Sequence, residues 1–395
     1  MAEHAIYAYA WDLAEAGVGS ATADFRDRGL NTVTMAAAYH AGKFLRPHGQ
    51  TGKVYFPEDG TVYFRTDAAR YGEIKPAENS LLAETDVLAS LCDDTDLDSN
   101  AWLVLMHNTR IGMAYPHVTV ANAFGDRYVY SLCPAAPAAH EYALALCTDV
   151  TESYGVRRIV LETPGFLPFV HGYHHEFALA RQNRWLNDLL GLCFCDNCRD
   201  GAYDDGIDAE ALRDRVRTAI ESYLVSDIDF TDDMADAFWL ADIVADPDLG
   251  RFLRWRRGIV TALVAEIRAA VRSDIEVSVI PSVARPTGGA WYEGTDLAAL
   301  TSVADSIDAC FYEPSVDRIR GDLFDVTRRT GGTDKLRGIL RPSHPDLDSR
   351  GAVIDAVAAL SEAGVTDLAF YNYGHLRPAS LDWIGDALAA LESQP

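Results

Sequence analysis

The stretch "VRRIVLETPG", residues 156–165, has a short unbroken apolar centre, Ile159-Val160-Leu161, that stops at Glu162 and a nearby Pro-Gly pair. A strand with one wet face alternates polar and apolar residues. An uninterrupted run this short buries both faces, as strands of a parallel sheet do. Working outward, the same pattern recurs seven times. Before it stand "AIYAYAWDLA" (5–14), "NTVTMAAAYH" (31–40) and "AWLVLMHN" (101–108). After it stand "IEVSVIPSVA" (275–284), "IDACFYEPS" (307–315), "LRGILRPSHPD" (336–346) and "VTDLAFYNYGHL" (365–376). Helical periodicity fills intervals near 20–28, 81–92, 136–153, 249–272 and 379–392. Eight buried strands alternating with helices predict an α/β fold, a (β/α)8 TIM barrel. An open doubly wound sheet is the competitor, but no Gly-rich GxGxxG turn follows any strand. Residues 41–80 read as an excursion containing a hairpin, 53–65, that turns at "PEDG". Residues 166–250 read as a long polar and aromatic insertion after strand 4. No solenoid repeat or low-complexity linker divides the chain, so residues 1–395 read as one domain.

The composition narrows the function classes. The formal net charge is −25 and only four lysines occur, at Lys43, Lys53, Lys75 and Lys335. Such a surface repels nucleic acid and anionic lipid, so neither is expected as a partner. An acidic, lysine-poor chain also suits a salt-loving source. No apolar run reaches membrane-spanning length. The start, "MAEHAIYAYAWDL", lacks a basic region followed by an apolar stretch, which predicts no signal peptide and a cytoplasmic location. Seven cysteines, unevenly spread, do not make a disulfide framework.

In a (β/α)8 barrel the active site lies at the C-terminal ends of the strands. Those ends read Trp11-Asp12, His40, His107-Asn108 with Arg110, Glu162, Pro281-Ser282, Tyr312-Glu313, Arg341 with His344, and Tyr371-Asn372-Tyr373 with His375. Core strands do not need such polar and aromatic endings. A ligand with hydroxyls and apolar ring faces does, which points to a small-molecule carbohydrate substrate. Glycoside hydrolysis needs two carboxyl groups flanking the bond. Glu162 and Glu313 are the expected pair, with Asp12 in reserve. "FVHGYHHEF" (169–177) adds His171, His174 and His175. No HExxH pattern accompanies them, so His171 is expected to contact substrate.

"LGLCFCDNCRDGA" (190–202) places Cys193, Cys195 and Cys198 within six residues. A structural tetrahedral zinc site needs four ligands. Cys133, Cys147 or a nearby histidine are candidates for the fourth. Cys92 reads as a helix residue and Cys310 as part of the barrel wall.

The succession "SLCPAAPAAHEYALALCTDVTESYGVRRIVLE" followed by "CFCDNCRDGA" resembles the family 42 β-galactosidases and related glycosyl-hydrolase barrels, over about residues 100–200. The resemblance implies a structural zinc at Cys133, Cys193, Cys195 and Cys198, no organic cofactor, and Glu162 as general acid/base. It also hints at a homo-oligomer. Two positions depart from that family. Leu161 stands where the family has Asn, and strand seven ends "ILRPSHPD" without the nucleophilic glutamate. A pair on strands four and six is instead similar to some α-galactosidase-like and fucosidase-like barrels, where the strand-four residue is the nucleophile.

The expectation is therefore a glycoside hydrolase with Glu162 and Glu313 as its carboxyl pair. Trp11, Asp12, His40, His107, Asn108, Arg110, His171, Arg341, His344, Tyr371, Asn372 and His375 would contact substrate. The alternatives are a non-catalytic carbohydrate-binding barrel, and a metal-dependent isomerase or hydrolase that uses the histidines.

Overall fold

A computed structural model of the protein describes residues 2–173 and 177–393. Eight parallel strands form a closed barrel: β1 (His4–Tyr9), β2 (Thr32–Tyr39), β3 (Asp98–Val104), β4 (Arg158–Glu162), β5 (Glu276–Ile280), β6 (Ser306–Cys310), β7 (Leu336–Leu340) and β8 (Asp367–Phe370). Each pairs with the next, and β8 pairs with β1 to complete the ring. One helix of the outer layer follows each strand: α1 (Val18–Asp27), α2 (Val87–Cys92), α3 (Pro137–Ser153), α4 (Pro247–Ala270), α5 (Leu297–Val303), α6 (Val316–Thr330), α7 (Arg350–Glu362) and α8 (Pro378–Glu392). The local causes are ordinary. On α6, Ile319, Leu323 and Val326 recur at helical spacing and are buried, and the Ser315 hydroxyl caps its first turn. Among the described residues, no helix is long and apolar enough to cross a membrane.

Several local expectations change. The 53–65 hairpin does not form. Val54–Tyr55 pairs with Phe44–Leu45, and Thr61–Val62 pairs with the end of β2. The partner strands lie elsewhere because Val62, Tyr63 and Phe64 are fully buried against the barrel while Val54 and Phe56 are exposed. Strand one stops at Tyr9, and a helix, Ala10–Ala16, takes Trp11 and Asp12. The helix expected over 81–92 is a 3-10 turn, Ser80–Ala83, followed by the shorter α2. Residues 109–132, between β3 and α3, hold a short helix and a small antiparallel hairpin, Thr119–Ala121 with Arg127–Leu132. The segment between β4 and α4 carries four helices, Arg184–Leu190, Asp196–Asp204, Ala209–Leu224 and Asp232–Ala245.

The barrel interior is polar at its N-terminal end. Arg337 Nη2 lies 2.7 Å from Glu3 Oε1, and its Nη1 lies 3.0 Å from Asp308 Oδ2. Arg158 Nη1 lies 3.0 Å from Glu3 Oε2, and Asn100 Nδ2 donates to Glu3 Oε1. All five side chains are buried. They set the inward parity of their strands, because successive side chains alternate faces. On β4 the inward positions are Arg158, Val160 and Glu162. On β6 they are Asp308, Cys310 and, just beyond, Tyr312. On β7 they are Arg337, Ile339 and Arg341. On β2 the register against β3 shifts between Ala36 and Ala38, and this bulge changes the parity. Thr34 faces the ion network, and past the bulge Tyr39 faces the barrel mouth.

Replacing Arg337 with Met is expected to cost about 3–5 kcal/mol in equilibrium urea unfolding, because Glu3 and Asp308 would keep their burial and lose a shared cation. A loss under about 1 kcal/mol would show that the network adds nothing to fold stability.

Candidate active site

The inward parity delivers a cavity of about 350 Å³ at the C-terminal mouth. Its lining includes Tyr7, Trp102, Glu162 and Cys310 from the strands, and Tyr39, Tyr312, Arg341 and Tyr371 at or just beyond the strand ends. Arg285 and Val283 enter from the segment after β5, and His40 and His171 stand at the rim. A second groove, of about 500 Å³, adjoins it through His40 and His171 and also reaches His107.

Glu162 lines this cavity and is 9 % exposed. Trp102 Nε1 donates to its Oε2 at 2.5 Å. Burial pushes the carboxyl up to about 7, against the opposing pull of that hydrogen bond. At neutral pH a large share of Glu162 therefore carries a proton.

A hydroxyl hub supports the surrounding aromatics. Tyr9 OH lies 3.0 Å from Tyr39 OH, 3.0 Å from Tyr371 OH and 3.3 Å from His375 Nε2. Tyr7 OH donates to Asp308 Oδ2, tying the cavity to the ion network beneath it. At the rim, His40 stacks on His107 with ring centroids 4.1 Å apart, and His107 meets His171 edge-on. The His107 Nε2–H donates to the Gly172 carbonyl at 3.0 Å.

The structure thus brings Glu162, His40, His171, Arg341 and Tyr371 into one cavity, with His107 in the adjoining groove. It does not bring Glu313 there. Glu313 follows inward-facing Tyr312 and so has the opposite parity; its carboxyl engages Arg318 in the first turn of α6. Trp11 is buried one layer behind, among Tyr9, Phe44, Tyr55 and Tyr63. Asp12 pairs with Arg46 at 2.5 Å and is pushed up to about 6 by burial. Asn108 caps the helix Thr109–Ala114 beneath Gly60, where a Cβ would sit 2.1 Å from Asn108 Oδ1. Arg110 is exposed and donates to the Asp59 carbonyl. Asn372 is buried and caps the turn Tyr373–His375. His344 is exposed, away from the cavity. His375 stands behind Tyr9 and Tyr371. His174 and His175 lie outside the described residues.

The carboxylate that the strand ends do not reveal is Glu293, in the 3-10 segment Thr287–Glu293 after β5. It is 8 % exposed and accepts from Ser282 Oγ. Burial pushes it up to about 7; the Ser282 hydrogen bond opposes this, the Glu162 charge adds to it, and Arg256 also opposes it. Gly294 turns the chain behind it at φ +88°, with a Cβ excluded by Val260. Tyr7, Tyr39, Trp102 and Arg285 also line the cavity and are not among the strand-end residues that the sequence singles out.

Four buried thiols gather beside the insertion. Cys133, Cys193, Cys195 and Cys198 hold their sulfurs within 4.8 Å of one another. The Cys133 Sγ lies 3.4, 3.8 and 3.7 Å from those of Cys198, Cys193 and Cys195. A tetrahedral zinc with Zn–S bonds of about 2.3 Å needs sulfur–sulfur edges of about 3.8 Å, so the donor set fits the ion in number, chemistry and spacing. Burial raises the Cys133 and Cys198 thiols, while hydrogen bonds from its three neighbours lower Cys195. Among the described residues, no other group of three or more His, Cys, Asp or Glu side chains is close enough to share a metal ion.

No protein-family model matches the chain, and none of the curated proteins matches it in sequence. Solved structures do match in fold. The glycoside hydrolase domain of PgaB (BpsB) from Bordetella bronchiseptica aligns at TM-score 0.61 and 14 % identity, over 98 % of this chain and 99 % of that one. The catalytic domain of β-amylase from Paenibacillus polymyxa aligns at 0.56 and 10 %, over 100 % and 99 %. The α-L-fucosidase isoenzyme 2 from Paenibacillus thiaminolyticus aligns at 0.55 and 12 %, over all of this chain and half of that one. At these identities the likeness is one of fold.

The two raised glutamates make stability pH-dependent. Glu162 binds its proton in the folded state up to about 7, but near the ordinary 4.5 when unfolded. Its stabilising contribution is complete below about pH 4.5 and is lost as pH rises towards 7. Relative to wild type, Glu162→Gln is expected to gain on the order of 3 kcal/mol between pH 4.5 and pH 8 in urea unfolding. Parallel curves for the two proteins would contradict the buried-acid assignment.

Proposed function

We propose that the chain is a glycoside hydrolase in which Glu162 donates the proton to the departing glycosidic oxygen. One observation carries this: a buried carboxyl group whose pKa is pushed up to about 7, gripped by an indole N–H and facing an aromatic cavity at the barrel mouth. That is the state a general acid needs, because a pKa near working pH balances proton supply against proton transfer. The fold neighbours, which are glycoside hydrolases, support the same reaction class. Tyr39 and Tyr371 line the cavity with aromatic surface for a sugar, and His40 and His171 at the rim offer hydrogen bonds.

The second role does not fall to Glu313, which faces α6. Glu293 lies off the cavity wall, in the field of Glu162. Burial, more than the Glu162 charge, raises its pKa, and its carboxyl accepts from Ser282 behind the wall. With Glu162 the one carboxylate in the described lining, the attack on the anomeric carbon is left to a group of the substrate itself, as in substrate-assisted glycosidases.

Zinc belongs to the structure of the insertion. Cys133 follows the hairpin strand Arg127–Leu132, whereas Cys193 and Cys195 precede the helix Asp196–Asp204 and Cys198 lies within it. Thiolates from the two segments would share the ion and cross-link the insertion to the barrel rim.

With an aryl-glycoside panel, Glu162→Gln is expected to lower kcat/KM by about 10²–10⁴-fold. Wild-type activity is expected to fall as pH rises through about 7, as Glu162 loses its proton. Unchanged turnover in Glu162→Gln would overturn the assignment, and a wild type that binds sugars without turnover would make the protein a binding barrel. Elemental analysis is expected to find one zinc per chain, lost in Cys198→Ser together with several degrees of Tm. Zinc retained by that variant would move the metal elsewhere.

A further inference from the structure

The cavity carries two arginines that proton donation does not require. Arg285, half-buried after β5, places its guanidinium carbon 4.8 Å from the Tyr312 ring centroid, and Arg341, at the end of β7, places its own 4.7 Å from the same centroid. The two guanidinium carbons therefore lie within about 9.5 Å of each other, both against the Tyr312 ring. Both line the same cavity as Glu162.

Their charges are not equally compensated. Arg341 Nε lies 2.5 Å from Asp346 Oδ2, which leaves the two terminal nitrogens of its fork outside that ion pair. Arg285 Nη1 donates to the Val283 carbonyl at 2.7 Å, and among the described residues no carboxylate forms an ion pair with it. Stacking on Tyr312 uses the faces of the guanidinium groups and leaves their N–H edges for a ligand. Glu162 adds no fixed negative charge while it is protonated. Two arginines against Asp346 leave this wall net positive, in a chain whose formal charge is −25. Removing a guanidinium partly from water is unfavourable unless an anion or good acceptors replace the water.

Building on the glycoside-hydrolase reading, we propose that the substrate is a glycoside whose sugar carries an anionic group, a carboxylate or a sulfate ester, held by Arg285 and Arg341. The guanidinium fork matches either anion in a bidentate way. A neutral sugar leaves Arg285 without its counter-charge, and an amino sugar is repelled.

Binding is measured by isothermal titration calorimetry at pH 6 on the full chain carrying Glu162→Gln, so that turnover plays no part. The probes are glucuronate, galacturonate and glucose 6-sulfate, with glucose and galactose as neutral counterparts. At least one acidic sugar is expected to bind ten-fold or more tightly than its neutral counterpart. Adding Arg285→Gln is expected to erase that preference, and Arg285→Lys to restore part of it, with melting curves showing that all variants stay folded. Preference for the uronates identifies the carboxylate source, and preference for the sulfated sugar the sulfate. Equal binding of acidic and neutral sugars overturns the proposal, as does no binding of any acidic probe or a preference that survives Arg285→Gln. The hydrolase reading fails separately: wild-type protein that binds acidic sugars but turns over none of their aryl glycosides loses the reaction and keeps the charge preference.

Discussion

Arg337 spans the N-terminal end of the barrel to reach Glu3 and Asp308, and Arg158 closes the circuit through Glu3. Buried ion networks of this kind are poor sources of net stability, since desolvation offsets most of the attraction. What they do is penalise alternatives. A one-residue slip of β6 or β7 would turn Asp308 or Arg337 to the outer face, leaving charged partners buried and unpaired. The network therefore fixes which residues of each strand face inward. Two residues further along β6 and four along β7, the same parity presents Cys310 and Arg341 to the cavity. Tyr7 joins the two levels directly, since it lines the cavity and its hydroxyl is held by Asp308.

Above that floor, polarity and burial act together on one group. Glu162 sits where aromatic rings displace water, which raises the cost of its charge. The Trp102 N–H holds it in place while doing little to restore its acidity. Around it the Tyr9 hydroxyl binds Tyr39, Tyr371 and His375. A single buried hydroxyl thus orients two of the rings that shape the cavity. These supports are hydrogen-bonded to each other.

The barrel was legible because its cause is local. Short apolar runs with both faces buried, eight times over, leave few alternatives, and the strand ends can then be inspected one by one. Glu162 emerged that way. A polar residue near a strand end need not face inward. Glu313 follows an inward tyrosine and so faces the other way, and Asn372 is spent on capping the turn Tyr373–His375. Counting parity along β6 from Asp308 separates Glu313 from the inward positions. The β2 bulge that aims Tyr39 inward has no sequence signature, because "MAAAY" does not show where the extra residue falls. Glu293 and Arg285 lie on the segment after β5, outside any strand register, and only tertiary packing carries them to the mouth. Cys133 lies sixty residues from Cys193, and nothing in its own neighbourhood marks it as a partner of the cluster. Family resemblance suggested it; the folded chain brings the sulfurs together.

The charge of the chain and the charge of the cavity point in opposite directions, and distance reconciles them. The surface carboxylates give a net −25, which at low ionic strength disfavours the approach of any anion. Their field decays over about 8–10 Å at moderate salt, whereas groups inside a partly dry cavity are screened much less. A ligand that has reached Tyr312 is therefore governed by Arg285 and Arg341 rather than by the surface. Salt then weakens the long-range repulsion more than the short-range attraction. An acidic exterior and an anion-holding interior are compatible in one protein, and most so in a salty medium, where the exterior stops opposing what the interior holds.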